Sequence, residues 1–163
     1  MTPTDLAAKL TVDPDYVATP PVGEDLAYLE SLALPVELAA FYRTHAPATT
    51  IGSRSLLLSI EGMREEHKRE RSHALRELGC IVIATANRNP YFCVRTTGEI
   101  RLADEQDLAD ADFDLAAVLE HSKAGPVFAA FADFLDAFAA GMLPSSPYER
   151  VQVHVLRTWQ ENR

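Results

Sequence analysis

Cysteine is scarce in this chain. Cys80 and Cys93 are the only two among 163 residues. That is too few, and wrongly spaced, for a zinc ribbon or a Cys-x-x-Cys redox pair. If the strand at 80–86 pairs with 91–97 through the turn Asn87-Arg88-Asn89-Pro90, Cys93 falls opposite Ala84. At roughly 3.3 Å per residue that leaves the two cysteines ~13 Å apart. The limit for a disulfide is about 7 Å, so two reduced strand cysteines are expected.

Basic charge is also in short supply. Fifteen Lys and Arg stand against 24 Asp and Glu, a net charge of −9. Nucleic-acid binding leaves a basic stripe as its footprint, so this balance argues against it, and against anionic membrane surfaces. Long hydrophobic runs are missing: the most apolar stretch, Ala124 to Leu143, carries Asp133 and Asp136. A spanning helix needs about 18 or more apolar residues. The opening MTPTDLAAKL has no basic region and no apolar core, unlike a secretory signal. The expectation is a cytoplasmic protein with no membrane partner. Seven scattered glycines form no phosphate-cradling loop, and no Gly-x-Ser-x-Gly elbow occurs. The sequence thus gives no catalytic residue and no cofactor-binding motif, and the expectation is a protein that is not an enzyme.

What is present is enough apolar residue, 47%, to fill a core, and one domain is the natural reading of this length. Thr2-Pro3-Thr4-Asp5 signals a helix start. A second helix is expected from Glu24, and a third from Pro35 with Leu38, Phe41 and Tyr42 on one face. Met63 to Leu78 mixes both signs of charge and reads as one solvated helix ended by Gly79. After the strands come helices at about 113–121 and at 126–140, the latter carrying Phe128, Phe131, Leu135 and Phe138. In the tail, Ser146-Pro147-Tyr148-Glu149 resembles a capping box. Tyr148, Val151, Val155 and Trp159 would then share one helical face. The expected fold is α+β: a central, largely antiparallel sheet with strands near 56–60, 81–86, 91–96 and 99–103, flanked by N-terminal and C-terminal helices.

Several clusters invite a chemical reading. Asp110, Asp112 and Asp114 begin like a calcium loop. That loop needs Gly at its sixth position and Glu at its twelfth, where this chain has Leu115 and His121. Glu70 and His73, with Glu66 and His67 one turn earlier, form a Glu-x-x-His. A di-iron bundle needs that motif twice, and five basic neighbours would repel a cation. No metal is therefore expected. The remaining candidate is the run from Asp104 to Asp114, which holds six acids and no base. Asp104, Glu105, Asp107, Asp110, Asp112 and Asp114 are the candidate partner-binding residues, suited to a basic protein that long-range attraction would draw in.

The order of the pieces carries a resemblance. Leu34-Pro35-Val36-Glu37-Leu38 leads to Phe41-Tyr42. Then come Ile81 to Ala84, Tyr91 to Val94 and Gly98-Glu99-Ile100, and Phe131-Ala132-Asp133-Phe134-Leu135 closes the set. Over about residues 24–140 this resembles the SUKH superfamily, which includes a yeast cell-wall-synthesis regulator and many bacterial immunity proteins. The stretches 1–23 and 144–163 are an N-terminal extension and a helical tail outside that pattern. The resemblance implies an α+β domain without catalysis that binds and blocks a cognate toxin domain, such as a nuclease. Twelve arginines against three lysines fit a GC-rich bacterial genome. A scaffold or regulator using the same fold, and an enzyme with a site of unrecognised pattern, are the alternatives. The oligomeric state is left open.

Overall fold

The computed structural model describes residues 1–110 and 113–163. Its fold is α+β, built on one antiparallel meander. The strands are β1 (Ile51–Gly52), β2 (Ser55–Leu57), β3 (Cys80–Ala86), β4 (Asn89–Val94), β5 (Ile100–Leu102) and β6 (Val127–Phe128). They lie side by side in chain order, each antiparallel to the next. Short turns join β1 to β2, β3 to β4 and β4 to β5, whereas helical segments connect β2 to β3 and β5 to β6.

Helices cover the sheet. Those before and between the strands are α1 (Pro3–Ala8), α2 (Gly23–Ser31), α3 (Val36–His45), α4 (Ile60–Glu66) and α5 (Glu70–Glu77). Those after β5 are α6 (Glu105–Asp110), α7 (Leu115–Ser122), α8 (Phe131–Ala139) and α9 (Arg150–Glu161). Thr2 caps α1 as its sequence predicts, in a reciprocal box with Asp5.

β3 and β4 are apolar at nearly every position because both of their faces are covered. On one face Tyr91 packs edge-on against Phe134, with centroids 5.4 Å apart, and Phe128 packs against the same ring at 5.6 Å. Phe41 of α3 meets Phe131 of α8 at 5.2 Å, so the two predicted helical faces converge on the meander. On the other face Arg101 alternates with Ile100 and Leu102, yet it does not face open solvent. Its Nη1 donates to the Leu119 carbonyl at 3.0 Å, near the end of α7 where carbonyls lack helical partners.

The expected register is corrected. Asn87 and Arg88 both adopt positive φ, 48° and 68°, the geometry of a two-residue hairpin turn that Asn tolerates well. The turn is therefore two residues long, and Asn89 and Pro90 belong to β4. Cys93 pairs with Ile81, not Ala84, and Cys80 pairs with Val94. Neighbouring rows of a sheet point to opposite faces, so the two thiols are kept apart by the sheet itself. Both are free, and burial pushes them up to about 11 and about 12.

Other boundaries move for identifiable reasons. The strand expected at 56–60 ends at Leu57, because Ser59 caps α4 by accepting the Gly62 N–H. The helix expected from 126 begins at Phe131, because Val127 and Phe128 add a sixth strand to β5. Gly141, at φ 69°, closes α8 as expected.

The largest correction concerns the charged stretch 63–78. It is two helices, broken at His67-Lys68-Arg69, and its inner side is buried at Met63, His67, Ser72 and Leu75. His67 is only 4% exposed. β2 has ended at this point, and the imidazole occupies its place: Nε2 accepts the Val82 N–H of β3 at 3.0 Å. Nδ1 must then carry the proton, which it donates to the Tyr28 hydroxyl oxygen at 2.8 Å.

Two stability predictions follow from this packing. Phe131 is 3% exposed, so Phe131→Ala should cost about 3–5 kcal/mol in chemical denaturation. A loss under about 1 kcal/mol would mean that the α3–α8 contact does not support the core. For His67, burial lowers the folded-state pKa from 6.5 to about 4. The unfolded chain therefore takes up the proton first. The stability tied to the neutral ring is complete above about pH 6.5 and is lost as pH falls toward 4, at roughly 1.4 kcal/mol per unit. Urea titrations at pH 7, 6 and 5 should show this slope in the parent and a shallower one in His67→Gln. Equal slopes would remove His67 as its source.

Candidate functional site

The acidic segment is built onto the β3–β4 hairpin by one side chain. Asn89 Oδ1 accepts the Glu105 N–H at 2.8 Å and fixes the start of α6. Asn89 Nδ2 donates to the Ser145 carbonyl at 2.7 Å and holds the start of the tail. Tyr91, fully buried, adds a bond from its hydroxyl to the Pro144 carbonyl at 2.5 Å. The acids and the tail are thereby brought to the same side of the molecule.

The predicted acids hold distinct positions there. Asp104 caps α6, accepting the Gln106 N–H at 2.8 Å and the Asp107 N–H at 3.2 Å. Glu105 is neutralised by two guanidinium groups, Arg69 at 2.8 Å and Arg71 at 3.2 Å. Asp107 accepts the hydroxyl proton of Tyr148. Asp114 caps α7 through the Ala117 N–H at 2.8 Å, and stays exposed. Asp110 lies in α6; its side chain and the whole of Asp112 lie outside the described residues. The calcium-like Asp110, Asp112, Asp114 spacing spans that same gap.

Tyr148 is the residue that sequence reasoning misplaced. It was expected within the tail helix, on one face with Val151, Val155 and Trp159. The helix does form, but it starts at Arg150 with Glu149 in the cap position and no capping box. Its buried face is Val153 and Leu156. Tyr148 is 52% exposed, Val151 77% and Val155 48%. Two apolar stripes compete on this helix, and the tethers at Pro144 and Ser145 decide which one turns inward. The bond to Asp107, together with partial burial and the charges of Asp107 and Asp104, pushes the Tyr148 hydroxyl up to about 12. The negative field of the segment thus converges on a surface aromatic ring. A ring among carboxylates offers an arriving cation both Coulombic attraction and a π face.

The outward stripe of α9 also walls a partly apolar groove. Its volume is about 440 Å³, and its lining includes Leu10, Val12, Phe138, Leu143, Val151 and Val155.

The histidine cluster is not a ligand set. Both ring nitrogens of His67 are engaged, Glu66 Oε1 accepts the Ser72 hydroxyl at 2.9 Å, and His73 lies 3.8 Å from Glu77. Among the described residues no three His, Cys, Asp or Glu side chains gather as metal ligands. Cys93 is buried mid-strand, its sulfur near the Val94 and Gly98 carbonyls. Among the described residues no helix is long and apolar enough to cross a membrane.

No protein-family model matches the chain, and neither a curated protein nor a solved structure matches it.

Proposed function

We propose that this chain is a SUKH-type protein-binding domain without catalysis, and that it is an immunity protein whose partner is a basic toxin domain. The observation that carries the reading is Tyr148, half exposed and hydrogen-bonded to Asp107 inside the acidic segment. Interface hot spots are enriched in tyrosine, ringed by contacts that exclude water. Acids around that ring supply the long-range pull that speeds encounter with a basic surface. A nuclease domain has such a surface, since it must hold phosphates, and carboxylates can occupy it in their place. The SUKH-like order, with the Leu34–Tyr42 stretch, the meander and the Phe131–Leu135 helix, supports the same reading.

The acids divide into two kinds. Glu105 is paired with Arg69 and Arg71 and holds α5 to α6, so it contributes to architecture. Asp107 and Asp114 are the members with charge to offer, and Tyr148 is the anchor.

The test uses the toxin encoded beside the chain. Co-expression should protect the host, and the purified pair should associate more slowly as salt rises, because screening shortens the reach of the charges. Asp107→Asn with Asp114→Asn should slow association. Asn can serve as the α7 cap at 114 and can still accept from the Tyr148 hydroxyl at 107, so stability should change little. Tyr148→Ala should instead speed dissociation, at a cost of about 2 kcal/mol or more if the ring is an anchor. Unchanged kinetics in both variants would sink the acidic-face reading. Absence of protection would sink the immunity role and leave the scaffold alternative.

A further inference from the structure

The groove beside α9 has a composition that the acidic face does not explain. Four segments enclose it: the coil after α1 (Leu10, Val12, Asp13), the β1–β2 turn (Gly52 to Ser55), the end of α8 (Phe138 to Leu143), and α9. Its volume of about 440 Å³ falls within the range of about 300–1,000 Å³ common for small-ligand sites. Three further observations define what it could hold.

First, β1 is the edge strand of the sheet, and among the described residues no strand pairs on its outer side. Gly52 of β1 lines the groove. An open edge offers main-chain donors and acceptors to another extended chain. Second, Gly52 sits at φ 114°, where a Cβ would lie 2.0 Å from the Ser55 carbonyl oxygen and 3.2 Å from Phe138. The missing side chain lets the turn fold down against Phe138 and carry Arg54 to the groove. Third, Arg54 and Asp13 both line the groove, and neither belongs to any ion pair formed among the described residues. Asp13 Oδ1 accepts the Asp15 N–H at 2.8 Å, which leaves its other oxygen open to a ligand. One exposed guanidinium and one half-buried carboxylate, with apolar side chains and an open strand edge between the same walls, match a molecule with an apolar body, a main chain and two opposite end charges.

We infer that this groove binds a short apolar peptide with free termini, its carboxylate at Arg54, its ammonium at Asp13 and its side chains against Phe138, Val151 and Val155. An extended tripeptide spans roughly 10 Å, at ~3.3 Å per residue. This inference goes beyond the immunity reading and does not rest on it. The site is apart from the acidic segment, and its test needs no toxin.

The chain carries its own reporter. Trp159, its single tryptophan, lines an adjoining cavity that shares Met142 and Val155 with the groove. Trileucine titrated into the full chain should give a saturable change in Trp159 fluorescence, with matching heat in calorimetry. The same peptide acetylated and amidated should bind several-fold more weakly. Arg54→Gln and Asp13→Asn should each weaken the free peptide about two- to fivefold, the range expected for a solvent-exposed ion pair, and leave the blocked peptide unaffected. Val155→Asp should abolish binding of both. Because Val155 is 48% exposed, that variant should stay folded by circular dichroism. Absence of saturable binding, equal affinity for free and blocked peptides, or undiminished binding by Val155→Asp would each overturn the inference.

Discussion

Burial of β3 and β4 on both faces is the constraint on which the other elements depend. A strand covered on one side alone can alternate polar and apolar residues. These two cannot, and their unbroken apolar runs demand a helical layer above and below. The chain has few long helices to spend on that task, so it assembles both layers from short ones. Most of these are too short to persist alone in water, and their stability comes from the sheet they cover. His67 illustrates the dependence: beyond the end of β2, an imidazole on the break between α4 and α5 completes the hydrogen bonding of β3.

The parts of this architecture that were legible in the sequence are those with a local cause. Asn87 and Arg88 mark a turn whether or not its length is known. Gly79 and Gly141 end helices because they adopt positive φ without a Cβ. Leu38, Phe41 and Tyr42 recur at helical spacing, and their burial follows. The α+β class rests on such signals.

What was not legible depended on choices between equivalent local options. The stretch 63–78 is charged enough to read as solvated, and only packing shows that four of its side chains turn inward around a break. Phe128 fits a helix by spacing, yet pairing with Ile100 outweighs that fit. In α9 both apolar stripes have helical period, and the tether at Ser145 selects Val153 and Leu156. Candidate site residues met the same limit. The acidic run was visible as charge, but its division into caps, an ion-paired glutamate and a tyrosine-bound aspartate was not. Tyr148 was expected inside the tail helix, and its bond to Asp107 exists only through the fold.

The amide of Asn89 has two ends, and they serve different surfaces. One end holds the first residue of the acidic helix, the other the chain that leads into α9. An amide is planar, so its donor and acceptor ends keep a fixed separation, and the acidic helix and the chain entering α9 are set against the sheet by the same group. Both are tied to one side chain at the mouth of a tight hairpin.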